Sequence, residues 1–435
     1  MKFRINLLAL VVVLLSGIAF GSDNSLAKEA VAGTETDSAE AVRKLREMGP
    51  EGLKGLIGTH AEDIKEYRET GRESENWKKI AAALDAVAMQ KDAYASQLYW
   101  YTDLEQAKRV GAKADKPILS LRLLGNLNEE FSCANSRLFR SILYPNREIS
   151  KFLRENYVLH WRSVRPAPRV TIDFGDGRKI ERTLTGNSIH YILDGKGTVI
   201  DALPGLYSPP AFLSYVTEGK QVNDSILNLP AREKSVALLR YRKRSFDRIK
   251  AKRDNAMRAA KVELVEPKAG ADATSPDIFN PDPRAITVSS TAMTKSIVTD
   301  EISILRVYDD FARFEPAIDL TSWQKLADIY SPGAKIDSES IAFIRRQNAK
   351  TGLTMAEFDA MLSKLQNFLA LDTTRNDFLY HTELYEWLNR EPAADLESFN
   401  ARVYSDIFKT PNSDKWLGLY SSDVYTALDG NGIIK

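Results

Sequence analysis

Cysteine is nearly absent. Cys133 is the only one in 435 residues, which excludes an intramolecular disulfide framework and any multi-cysteine zinc site. Four histidines, His60, His160, His190 and His381, are scattered without metal-ligand spacing. An excess of charge is also missing. Lysine and arginine total 60 against 59 acids, so no global field draws the chain to nucleic acid or to an anionic membrane. There is no glycine-rich phosphate loop and no ordered Ser/His/Asp set. Only one long hydrophobic run stands out, at the very start. "MKFRINLLALVVVLLSGIAFGSDN" opens with Lys2 and Arg4, runs apolar from Leu7 to Leu15, and continues to the small residues Ala19 and Gly21. That pattern reads as a secretory signal peptide over 1–21, too short for a membrane span and without a cysteine for lipid attachment. The expectation is an exported chain, periplasmic or extracellular, with no stable membrane insertion after cleavage. In an oxidising compartment a lone thiol is buried, capped or poised for exchange.

At 43% hydrophobic, the chain has the apolar content for substantial cores. Residues 22–97 read as a flexible lead followed by helices. "AEAVRKLREMGPEGLKGLI" is broken at Gly49-Pro50 and resembles a single HEAT-type hairpin. Residues 98–222 alternate helix and strand. "YWYTDLEQAKRVGAKADK" reads as an amphipathic helix and "PILSLRLLG" as a buried strand. "SRLFRSILYPNREISKFLREN" is helical with a break at Pro145, and "YVLHWRSV" is a second strand. Two hairpins follow, around Gly175-Asp176-Gly177 and Asp194-Gly195. Residues 223–262 read as a basic helix with ten Lys or Arg between Arg240 and Lys261, which could meet an anionic surface but more simply packs on a neighbour. Residues 263–297, poor in large apolar side chains, read as a linker. Residues 298–435 read as a separate all-α domain, with a capping box at Thr354 and Glu357.

The order "KPILSLRLLG", "CANS", "YPNREISKFLRENYVLHW", "GNSIHYILDGKGTVIDALPG" resembles the thioredoxin-like superfamily, in particular its exported, DUF255-type members. The resemblance implies an α/β domain with a mixed sheet flanked by helices. It places Cys133 at the first position of the redox motif and Ser136 where the second cysteine belongs. A helix N-terminus favours a thiolate, but without the resolving sulfur a dithiol pair cannot be cycled. The family's cis-proline position is taken by Ser188 and its buried acid is missing from the active-site strand. His190, two residues beyond Ser188 on the same strand face, is a candidate partner of the site. In the C-terminal region Asp377 and His381 stand one turn apart, a spacing that reads first as a surface i,i+4 contact. "DGNG" at 429–432 lacks the downstream acid of a calcium loop.

These readings converge on an exported protein that uses a degenerate thioredoxin-like domain to bind another protein. The alternative is a monothiol exchange protein with Cys133 as nucleophile; if the chain is an enzyme, thiol–disulfide exchange is its chemistry. Catalytic candidates are Cys133 and Ser136, and substrate-binding candidates are Ser188 and His190. Neither reading calls for a metal or an organic cofactor, and both imply a protein partner.

Overall fold

The computed structural model describes residues 24–183, 186–262, 320–392, 395–413 and 415. The expected signal peptide, the 263–297 linker and the 429–432 stretch lie outside the described residues.

A first helix, α1 (24–32), leads into α2 (Glu35–Glu47), α3 (Pro50–Thr59), α4 (Ala61–Thr70) and α5 (Glu75–Ala88). Local chemistry sets their ends. Thr34 and Ser74 accept backbone N–H bonds from Asp37 and Trp77, and Pro50 opens α3, where its missing donor costs nothing. Gly52 permits the close α2–α3 approach, since a Cβ there would stand 2.0 Å from the Leu45 carbonyl oxygen. Ile80, Leu84 and Val87 of α5 are fully buried, each contributing about 1.5–3 kcal/mol of hydrophobic stabilisation. Arg46 fastens α2 to α5 and to the chain beyond it, donating to the Val87 and Trp100 carbonyls.

The short α6 (Ala93–Ser96) precedes a five-stranded mixed sheet. Its strands are β1 (Trp100–Tyr101), β2 (Ile118–Leu124), β3 (Val158–Arg165), β6 (Ser188–Leu193) and β7 (Val199–Pro204), in the order β1-β3-β2-β6-β7. A separate ribbon, β4 (Arg169–Asp173) and β5 (Lys179–Thr183), is inserted between β3 and β6. Strands β1, β3 and β2 run parallel, whereas β6 is antiparallel to both β2 and β7. All seven residues of β2 are buried, as a strand covered on both faces requires. The turn joining β6 to β7 is tied by Asp194, whose carboxylate accepts from the Lys196 and Thr198 N–H groups and pairs with Lys234. Helices α7 (Leu104–Ala114), α8 (Ala134–Leu138) and α9 (Arg147–Asn156) make the crossovers between the parallel strands, and α10 (Pro209–Ile226) follows β7.

Three expectations are corrected. The lead expected to be flexible is helical over 24–32, because Ala27, Ala30 and Val31 are buried in the core. Trp100 and Tyr101 are a strand beside β3, not the start of an amphipathic helix; both are buried aromatics, and the helix begins only after Asp103 caps Gln106. The basic helix is α11 (Ala231–Ala260), not a single element from 223, because Pro230 separates it from α10. Leu238, Tyr241 and Ile249 face inward, while Leu239 is exposed.

After residue 319 come α12 (Leu320–Tyr330), α13 (Ser338–Gln347), α14 (Met355–Arg375), α15 (Thr382–Arg390) and α16 (Leu396–Arg402). The capping box at Thr354 and Glu357 forms as expected. These helices bury against the sheet and α11, so one hydrophobic cluster runs from Ala27 to Phe408. Wider π-helical turns interrupt the chain at Phe139–Leu143, Asn376–His381 and Val403–Ile407. A buried polar side chain sits in or beside each of them: Arg140, Asp377 and Asn400 respectively.

Candidate functional site

Strand β2 ends at Leu124, and Gly125 turns the chain away with φ +72°. The loop returns so that the Cys133 N–H donates to the Leu124 carbonyl, 3.0 Å away, and Cys133 becomes the N-cap of α8. The expected strand-to-helix junction is therefore present. Ser136 lies one turn on. Its hydroxyl donates to the Cys133 carbonyl at 2.8 Å, and its oxygen is 3.5 Å from the Cys133 sulfur, which also faces the Asn187 carbonyl at 3.7 Å. The single S–H thus faces two alternative acceptors, the Ser136 hydroxyl oxygen and the Asn187 carbonyl.

Cys133, Ser136 and Ser188 have no solvent exposure, and His190 has 1%. The cover comes from the C-terminal segment. Tyr404 donates to the Asn187 carbonyl at 3.2 Å, and the Asn187 amide donates to the Phe408 carbonyl and the Thr410 hydroxyl at 3.1 and 3.0 Å. The strand end beside the sulfur is covered by residues 404–410 of the same chain.

His190 is turned elsewhere. Its Nε2 meets the Tyr144 hydroxyl at 2.8 Å, and its ring packs against Phe139 and Phe212. Burial holds its pKa down at about 3, which leaves a neutral ring of very low basicity at ordinary pH. The Ser188 hydroxyl is buried without a hydrogen-bond partner. The structure therefore brings together Cys133, Ser136 and the Asn187–Ser188 strand entry, and assigns His190 to an aromatic cluster with Tyr144.

The register puts His160 on the opposite sheet face, because it aligns with Ser120 whereas His190 aligns with Leu121. There it meets the Ser120 hydroxyl at 2.9 Å and Arg122 at 3.3 Å. Burial and then the Arg122 cation lower its pKa to about 3. Arg122 is itself 1% exposed in the middle of the central strand and reaches Glu397 of α16 at 2.7 Å. On the same face Tyr191 donates to Asn400 at 3.1 Å.

A second buried polar group escaped the sequence reading. Asp201 of β7 is fully buried and accepts from Tyr241 at 2.6 Å and Tyr385 at 2.9 Å, while its other oxygen is 2.8 Å from His381 Nε2. Burial alone would raise this carboxyl; the His381 charge and the hydrogen bonds outweigh it, and the net direction is downward. Asp377 does not share its partner. It accepts from Tyr215 at 2.7 Å and pairs with Lys252 at 2.9 Å. The expected surface contact between Asp377 and His381 is thus replaced by two buried pairings, because both residues sit in a π-helical turn pressed against β7 and α11. The signal available in the sequence was Asp201 inside the apolar run "TVIDALPG": a carboxylate in a covered strand demands partners.

Among the described residues no group of three or more His, Cys, Asp or Glu side chains is arranged to hold a metal, and no helix is long and apolar enough to cross a membrane. Comparison with protein-family models, with curated proteins and with solved structures returns no match.

Proposed function

We propose that this is an exported binding protein in which a thioredoxin-like scaffold has lost dithiol chemistry and docks another protein. The strand order, with a mutually antiparallel β6–β7 pair added beyond a parallel trio, supports the scaffold reading, and the enclosure of the one thiol supports the loss of redox work. The observation that carries the binding reading is the inserted β4–β5 ribbon. Ile172 stands opposite Ile180, and Phe174 is two residues from Ile172, so all three share one face. Their exposures are 45%, 38% and 52%. Large apolar side chains held together in water on a projecting ribbon are a feature of contact surfaces.

A photo-crosslinking residue placed at Phe174 of the full chain, in the exported fraction of its host, tests this. We expect a discrete adduct that a probe at exposed Lys113 does not give, and that persists in the Cys133→Ser variant. No adduct above the Lys113 control would overturn the reading. An adduct abolished both by Cys133→Ser and by a reducing agent would instead establish monothiol exchange.

A further inference from the structure

Beside α8 a cleft of about 480 Å³ opens between the α/β layer and α13. Six cationic side chains line it: Lys91, Arg137, Arg140, Arg182, Arg346 and Lys350. Three carboxylates, Glu73, Asp92 and Glu130, oppose them. Their pairings are loose or outward-facing. Glu73 is taken by Lys350 at 2.9 Å on the rim, where that lysine is 84% exposed. Glu130 is 3.5 Å from Lys91. Asp92 lies 3.9 Å from Lys91 and 4.0 Å from Arg140, beyond hydrogen-bond reach of either.

Arg140 is the decisive residue. It is 4% exposed, and only its Nη2 is engaged, with the Glu130 carbonyl at 3.2 Å and the Ser132 hydroxyl at 3.4 Å. Its Nε and Nη1 are buried and meet no hydrogen-bond acceptor. Across the cleft Arg346 repeats the pattern: Nη1 donates to the Arg68 carbonyl at 3.1 Å, and its buried Nε has no acceptor. Leaving a buried charged donor unpaired is expensive. Two guanidinium groups that each keep an N–H without an acceptor, in a cleft lined by twice as many cations as anions, favour an anion whose oxygens accept charge-assisted hydrogen bonds, as phosphate oxygens do. Tyr67, Tyr94 and Phe343 supply an aromatic wall, and the volume falls in the range of small-molecule sites.

We propose that this cleft is a binding site for a phosphate group, carried by a small ligand and held between Arg140 and Arg346. Arg182 of β5 lines this cleft two residues from Ile180, so the cleft borders the ribbon; the proposal rests on Arg140 and Arg346, which take no part in the protein-docking reading.

Calorimetric titration of the full chain with inorganic phosphate, phenyl phosphate and succinate tests it, alongside Arg346→Gln and the conservative Arg140→Lys. We expect saturable binding of the phosphate probes with one site per chain, weakened at least tenfold in Arg346→Gln. Arg140→Lys should weaken it as well, with both variants matching the parent by circular dichroism. Tighter binding of phenyl phosphate identifies a phosphate monoester as the ligand, whereas equal binding identifies free phosphate, and either supports the site. Absence of binding, binding undiminished in a folded Arg346→Gln protein, or succinate binding as tight as phosphate overturns the proposal.

Discussion

His190 is a base in name only at neutral pH. Its folded pKa of about 3, against the ordinary 6.5, follows from burial alone, and the sign of its linkage is fixed by that direction. The unfolded chain takes up the proton first, so the histidine's stabilising contribution is complete above about pH 6.5 and is lost as pH falls toward 3. Asp85 acts in the opposite sense: burial, with Asp92 nearby, raises its pKa to about 7. Its contribution is therefore present below the ordinary carboxylate range and is lost as pH rises toward 7. A comparison of variants isolates the histidine. The stability difference between parent and His190→Phe should change by about 1.4 kcal/mol per pH unit between pH 6 and 4, in favour of the variant as acid is added. Urea unfolding at each pH measures it; a constant difference would rule out a neutral buried ring. Asp201 offers a larger effect. In Asp201→Ala, Tyr241, Tyr385 and His381 all lose their buried acceptor, and a loss of about 3–5 kcal/mol in unfolding free energy is expected, with a matching fall in the denaturant midpoint.

At the scale of elements, the sequence carried the strands and caps well and the partners poorly. β2 was legible because a largely apolar run, broken only by Ser120 and Arg122, before Gly125 suits a strand buried on both faces, and the Thr354–Glu357 box was legible because capping is local chemistry. β1 was not. Two aromatic residues next to a helical pattern look like part of the helix until β3 is seen beside them. The Cys133–Ser136 placement at the start of α8 was expected from the resemblance, but its closure could not be read, since the covering residues lie more than 250 positions later. That cover can be loosened. Tyr404→Phe combined with Asn187→Ala removes the hydrogen bonds tying the 404–410 segment to the strand entry. The Cys133 sulfur should then react with iodoacetamide at least tenfold faster than in the parent under native conditions, while both proteins react alike in denaturant. Equal native rates would mean that the segment does not gate the thiol.

For the whole molecule, the expectation of a helical C-terminal domain standing apart did not anticipate how far the two layers share side chains. Arg122 is the clearest link, a cation in the central strand that needs Glu397 from the far end of the chain. Arg242 of α11 ties β7 to α15, donating to the carbonyls of Val199 and Leu388. One cluster of buried side chains spans the described residues, so scanning calorimetry should show a single endotherm with tryptophan fluorescence changing at the same temperature. Two resolved endotherms would show that the α/β layer and the helices after 320 melt independently.

The margins of the sheet have a consequence of their own. At one border β1 contributes just two paired residues, and past it β3 continues into the cations Arg162 and Arg165. At the other border β7 is overlaid by the Asn376–His381 turn. Neither rim offers a long, bare row of amide and carbonyl groups on which a stranger's strand could crystallise. The principal sheet is therefore built to resist fibril growth, even where the chain is crowded among its own copies.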